Sequence, residues 1–221
     1  MTKSILIELR AAINVSDFTF GKDYVESRVK DYVDGLYCFF EKLDKTKDCD
    51  VVFVENTHDS EDDLPQEILG ALPQGTFMYV KKKNDYGKIN KGAGDIEMWK
   101  EYLDKISEYD YFFHFEPRML LNDASFLQSF LDNPRNVFCE DYDPGPPPRP
   151  AVKTGYFGVN AKQFVDYCNS VDLEEFVKNG TSIENHICLF FEDKDTEVMD
   201  NVKYCTRRWY NNSGGTGYSA Y

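Results

Sequence analysis

The chain has 221 residues, 42% of them hydrophobic and 15% aromatic, and a formal net charge of -14. At this length folding hides roughly 70% of the extended chain's surface, enough for one core without metal or disulfide staples, and so much aromatic surface excludes a disordered chain. The acidic balance argues against a nucleic-acid partner, since a phosphate backbone is repelled by it and rewards stripes of Lys and Arg.

Ser4 to Ile13 opens with Ile5-Leu6-Ile7-Glu8-Leu9, the pattern of a buried central strand. Asp23 to Leu43 spaces Val25, Val29, Tyr32, Val33, Leu36, Phe39 and Phe40 three and four apart, one face of a helix that Gly35 slightly weakens. Asp50 to Val54 predicts a second strand, ended by the polar run Glu55 to Ser60. Leu64 to Leu72 reads as a short helix and Gly75 to Val80 as a strand. Gly94 to Ser107 reads as a helix with Ile96, Trp99, Leu103 and Ile106 inward. Between these two, Lys81, Lys82, Lys83, Lys88 and Lys91 form a cationic island opposed locally only by Asp85, either a solvated loop or an anion site.

Tyr109 to Phe115 is an aromatic strand ending at Glu116-Pro117-Arg118. Ala124 to Leu131 reads as a helix and Asn136 to Glu140 as a strand. The proline-rich stretch Asp141 to Pro150 reads as a loop or polyproline segment, because proline removes backbone donors and fixes φ. A strand at Thr154 to Val159 and helices at Ala161 to Cys168, Leu173 to Val177 and Ile183 to Phe191 follow, and the Asn-, Ser- and Gly-rich tail from Asn211 reads as disordered or as a flap. Strands alternating with helices predict an α/β fold: one domain over residues 1–210, with a mostly parallel central sheet flanked by helices and a flexible tail at 211–221. The six cysteines form no CxxC pair and are expected to be reduced. No signal-like segment follows Met1 and no run of about 20 apolar residues occurs, so the expected location is cytoplasmic, without a transmembrane segment.

The turn after the first strand lacks G-x-G-x-x-G, and neither G-x-x-x-x-G-K-[ST] nor G-x-S-x-G occurs, which disfavours dinucleotide Rossmann enzymes, P-loop proteins and α/β-hydrolases. In an open parallel sheet ligands sit beyond the carboxyl ends of the strands. The groups expected there are Arg10 with Asn14, Glu55 with Asn56, Lys88 to Gly94, and Glu116 with Arg118.

The strand ending Val-Phe-Val-Glu55-Asn56-Thr-His-Asp, the segment Lys88-Ile89-Asn90-Lys91-Gly92-Ala93-Gly94 and the aromatic strand ending Glu116-Pro117-Arg118 together resemble the GT-A glycosyltransferases, in order and spacing over Ser4 to Arg118 and more loosely over Thr154 to His186. In size and lack of an anchor the chain is similar to a small member of that family encoded by a large chlorella virus. The resemblance implies a GT-A-like (nucleotide-diphospho-sugar transferase) fold, with a nucleotide-binding half over residues 1–120 and an acceptor half over 121–210. It also implies transfer of a sugar from a nucleotide-sugar, a UDP-sugar in most of the family, to a glycan or other hydroxyl acceptor. Glu55 or Asn56 would lie near base and ribose, and Lys88, Lys91, Gly92 and neighbouring cations near the diphosphate.

In the family a D-x-D holds Mn²⁺ or Mg²⁺ against the diphosphate, since hard oxygen ligands suit these ions. Here Glu116 stands at the first Asp and Arg118 at the second. Arginine cannot ligate a metal but can bind phosphate oxygens. Literal D-x-D triplets begin at Asp48, Asp141 and Asp193, and of these Asp141 with Asp143 is the strongest substitute metal site. Lys153 to Val159 resembles the segment lining the sugar and acceptor pocket. Glu184 falls where relatives carry an acidic residue near the acceptor hydroxyl, its alternative being a first-turn residue behind an N-cap at Ser182. His186 is a further catalytic or metal-ligand candidate. Arg207 and Arg208 read as diphosphate clamps or as a surface pair. A nucleotidylyltransferase and a non-catalytic carbohydrate-binding or scaffold protein are the alternative readings.

Overall fold

Every residue of the first strand, β1 (Ile5–Ala11), is buried, as its apolar run requires. The structure is a computed structural model and describes residues 4–15, 22–44, 48–143, 149–200, 204–210 and 216–220. Around β1 a seven-stranded sheet forms from β2 (Asp50–Glu55), β3 (Phe77–Val80), β4 (Tyr111–Phe115), β6 (Asn136–Asp143), β7 (Arg149–Asn160) and β8 (Thr196–Met199), in the order β3-β2-β1-β4-β7-β6-β8. The pairs β3/β2, β2/β1, β1/β4 and β6/β8 are parallel, and β4/β7 and β7/β6 antiparallel. Register aligns the tips on one side: Ala11 opposes Glu55, Glu55 opposes Val80, and Leu9 opposes Phe115.

Alternation along β1 divides the core in two. Ile5, Ile7 and Leu9 face α1 (Lys22–Lys42), which meets them with Tyr32, Leu36 and Phe39, and that layer continues through α2 (Gln66–Ala71) and α5 (Ser125–Asp132). Leu6 faces the other layer, built from α3 (Lys91–Glu101), α4 (Leu103–Ile106), α6 (Ala161–Ser170), α7 (Leu173–Lys178) and α8 (Ile183–Phe191), around Trp99, Phe112, Phe157 and Phe164. Gly35 lies where α1 crosses the segment after β4: a Cβ there would stand 1.7 Å from the Pro117 carbonyl oxygen. The helix can approach that closely only without a side chain.

Several expectations need correction. The lysine-bearing segment is not loop as far as Gly94, because Asn90 caps α3 by accepting from the Ala93 N–H and so starts the helix at Lys91. The helix expected over Gly94 to Ser107 breaks at Tyr102 into α3 and α4, and a 3-10 turn at Glu61–Asp63 precedes a shorter α2. Asp141 to Asp143 and Arg149 to Pro150 are not loop. They extend β6 and β7, Tyr142 opposing Pro150, which the pattern of prolines concealed. A second sheet in the order β10-β9-β5, all antiparallel, combines β5 (Met119–Leu121), β9 (Cys205–Tyr210) and β10 (Thr216–Ala220), the last lying within the expected tail. No helix of the described residues is long and apolar enough to cross a membrane.

Candidate functional site

Beyond the tips of β1, β2 and β4 lies a cleft of about 380 Å³, within the range of small-molecule sites, roughly 300–1,000 Å³. Arg10 reaches it from β1, Asn56 from the end of β2, Glu116 and Arg118 from the end of β4, and Lys91, Gly92 and Asp95 from the first turns of α3. Asp141 and Lys153 line it from the paired strands β6 and β7, Glu184 from the start of α8, and Arg28 from α1.

Beneath the cleft a carboxylate is buried in the sheet. Glu8 is fully buried on the face of β1 that carries Leu6, and its Oε2 accepts a hydrogen bond from Trp99 Nε1 at 2.9 Å and lies 2.7 Å from His114 Nδ1. Its Oε1 stands 3.6 Å from Arg10 Nη1. Burial pushes the Glu8 carboxyl up, but the charges and hydrogen bonds of His114 and the charge of Arg10 outweigh it and hold the group below the ordinary carboxylate value. Arg10 is 4% exposed and donates from Nη2 to the Gly94 carbonyl at 3.2 Å, with Asp95 Oδ1 at 3.5 Å. Its Nε and Nη1 make no hydrogen bond. Asp95, at the cleft wall, is pushed up to about 6, first by its enclosure in the protein, against the pull of Arg10 and His114, and then by the negative charges of Glu116 and Glu8.

At the end of β4, Arg118 Nε donates to Glu116 Oε1 at 3.0 Å. Burial raises the Glu116 carboxyl, and the charges of Arg118 and Arg28 bring it below the ordinary value. Asn56 is 2% exposed; its Nδ2 turns to the Lys83 carbonyl at 3.4 Å, which orients the amide and leaves Oδ1 without a hydrogen-bond partner.

Of the residues singled out in the sequence, Arg10, Asn56, Lys91, Gly92, Glu116, Arg118, Asp141, Lys153 and Glu184 converge on this cleft. Glu55 does not: Oε1 accepts from the Ile13 N–H at 2.9 Å, and Oε2 from the N–H groups of Thr57 at 2.9 Å and His58 at 2.8 Å. It therefore ties the loops after β1 and β2 together. Asn14 donates its N–H to Thr57 Oγ1 at 2.8 Å in the same tie and is not part of the lining. Lys88 is exposed, outside the lining.

The other lysines of the island meet carboxylates: Lys81 pairs with Glu101, Lys82 with Asp59 at 3.9 Å, and Lys83 with the neighbouring Asp85 at 3.2 Å and with Glu97 at 3.6 Å. His186 packs against the rings of Phe176 and Tyr167, away from the cleft, and burial lowers its pKa. The side chains of Asp143, Arg207 and Arg208 lie outside the described residues, although the backbone of Arg207 pairs with Met119, next to Arg118.

Sequence reasoning passed over Glu8, Arg28 and Asp95. The first two carried a signal, a charge inside an apolar strand and a charge one turn before Tyr32 on an apolar helical face. Asp95 carried none.

The donor set does not fit a divalent cation. Arg118 stands where a second carboxylate is needed, the oxygen of Glu116 is held by that arginine, and no group of three metal-ligating side chains comes together among the described residues.

No family model matches the chain, and no curated protein does. Among solved structures it is similar to a protein described as a nucleotide-diphospho-sugar transferase from Desulfovibrio desulfuricans G20, with 14% identity, 90% of this chain and 80% of that one covered, and a TM-score of 0.52. The mannosyltransferase Ktr4p from S. cerevisiae in complex with GDP aligns at 12% identity over 86% of this chain and 66% of that one, with a TM-score of 0.45. A cytidylyltransferase from Leptospira borgpetersenii aligns at 13% identity over 90% and 76%, with a TM-score of 0.44. Nothing in these comparisons links the chain to a chlorella virus protein. The central seven-stranded sheet flanked by helices, and the match to the first of these structures, give the chain the nucleotide-diphospho-sugar transferase fold.

Proposed function

We propose that the chain is a glycosyltransferase that binds a nucleotide-sugar, a UDP-sugar by preference, across the tips of β2, β1 and β4 and passes the sugar to a glycan or other hydroxyl acceptor. The observation that carries this reading is the meeting of two chemistries in one cleft. Cations from β1, α3 and β4 (Arg10, Lys91, Arg118) line it together with Asn56, whose buried Oδ1 has no hydrogen-bond partner. The tips of β2 and β4 are two strand spacings apart, about 10 Å. A nucleoside diphosphate spans such a distance, offering a base N–H to Asn56 and its phosphates to the cations. Neutralising the diphosphate makes the nucleotide a better leaving group, which is the main electrostatic requirement of the transfer.

Glu184 supplies the acid-base chemistry in this reading. Its Oε2 accepts from Ser182 Oγ at 2.6 Å at the cap of α8 while the residue lines the cleft. In an inverting reaction it removes the acceptor proton; in a retaining one it stabilises the positive charge that develops on the sugar. Glu184→Gln is expected to lower turnover by about 10²- to 10⁴-fold while leaving UDP binding intact; single-turnover kinetics beside a binding titration separate the two.

A thermal-shift screen of UDP, GDP and CDP tests the binding claim itself. Saturating UDP, at about 100 times Kd, is expected to raise the melting temperature by about 5–10 °C, and Arg118→Ala to abolish the shift. An unchanged shift in that variant removes Arg118 from the site. Turnover of a sugar-1-phosphate with a nucleoside triphosphate, without donor hydrolysis, would instead identify a nucleotidylyltransferase.

A further inference from the structure

We infer that the diphosphate is held and neutralised by the side chains of Arg10, Arg118 and Lys153, without a divalent cation between protein and ligand. This rests on the nucleotide-sugar reading above and concerns how that site handles charge. A Mg²⁺ or Mn²⁺ ion needs several oxygen ligands whose lone pairs are open to it. Each of the four carboxylates lining the cleft already faces a donor. Glu116 takes the Arg118 Nε at 3.0 Å, Asp95 lies 3.5 Å from Arg10 Nη2, Asp141 lies 3.8 Å from Lys153 Nζ, and Glu184 takes the Ser182 hydroxyl at 2.6 Å. A metal taken by these carboxylates would have to displace the cations that already face three of them, Arg118, Arg10 and Lys153.

Arg10, in contrast, has donors to spare. Arg10 is 4% exposed, yet Nε and Nη1 have no hydrogen-bond partner, an arrangement that is costly in the absence of a ligand. It lines the cleft together with the first turn of α3, whose N-terminal N–H groups carry partial positive charge. Phosphate oxygens are the acceptors that satisfy both: they are anionic, numerous and able to reach a guanidinium held rigidly from below by Glu8.

The test uses the full chain and compares the melting-temperature shift produced by UDP, GDP and CDP in excess EDTA, in Mg²⁺ and in Mn²⁺. The expected result is a nucleotide shift that is the same in EDTA as in either metal and is lost in Arg10→Lys, with circular dichroism confirming that the variant is folded. If Arg10→Lys does not fold, Lys153→Met carries the same measurement, with at least a tenfold loss of affinity expected. A shift that appears only with Mn²⁺ or Mg²⁺ overturns the inference and leaves the nucleotide-sugar reading standing. A shift that survives in Arg10→Lys and Lys153→Met also overturns it. No shift with any nucleotide under any condition overturns both.

Discussion

Glu8→Ala is expected to cost about 3–5 kcal/mol of stability, the range for removing one partner of a buried charged pair. The carboxylate is fully buried and serves Trp99, His114 and Arg10 together. Its loss leaves the indole N–H unpaired and strands the Arg10 guanidinium, 4% exposed, with only the Gly94 carbonyl and Asp95 to answer it. Urea denaturation measures the loss; a cost below about 1 kcal/mol would mean that the network does not matter to folding.

The pH dependence has a definite sign. The folded-state value of Glu8 is depressed below its ordinary 4.5, so the stability it contributes is present above that value and lost as the pH falls through the folded value. The acid limb of melting temperature against pH is accordingly expected to be flatter in Glu8→Gln than in the wild type.

Gly35→Ala is the second large effect. In an exposed helix interior this exchange normally stabilises by about 1 kcal/mol. Here the added Cβ meets the Pro117 carbonyl oxygen at 1.7 Å and its carbon at 2.7 Å, both rigid backbone atoms, so helix or strand end must move. The expected cost is about 1–3 kcal/mol, in the range for overpacking. Because Pro117 joins Glu116 to Arg118, nucleotide binding should weaken as well. Gly70→Ala in α2 is the control: nothing lies within 4 Å of its added Cβ, so it should be neutral or stabilising. If both variants behave alike, the close approach of α1 to the cleft wall is not a constraint.

These two positions show what the sequence made legible. Gly35 registered only as a helix weakener, because the atom that excludes a side chain there lies 82 residues further on. Glu8 was hidden inside an apolar run that correctly indicated a buried strand. Periodicity identified β1, β2, β4, α1 and α8, since each of those elements buries one face or both. Short β5 and β8 escaped because a strand of three or four residues has no readable alternation. The pair β6 and β7 was cut short because proline on a strand signals a break unless its partner is known.

The site was partly legible for one physical reason: a parallel sheet collects its strand ends on one side, so residues following Val54 and Phe115 become neighbours whatever separates them in the chain. Lys91, Gly92 and Glu184 joined them by way of helix starts. The lysine island was only one part site. Lys83 meets the local Asp85, but the pairs of Lys81 with Glu101, Lys82 with Asp59 and Lys83 with Glu97 are contacts that a local count of charges could not anticipate. A side chain that arrives from a separate layer, Arg28 from α1, depends on packing that no motif encodes.

A crystal structure of the chain with UDP decides whether this cleft grips a nucleoside diphosphate. Phosphate oxygens are expected within hydrogen-bond distance of Arg10 Nε or Nη1 and of Arg118, with the uracil against Asn56 Oδ1. UDP bound elsewhere on the molecule, leaving the Arg10 donors without an acceptor, would contradict this.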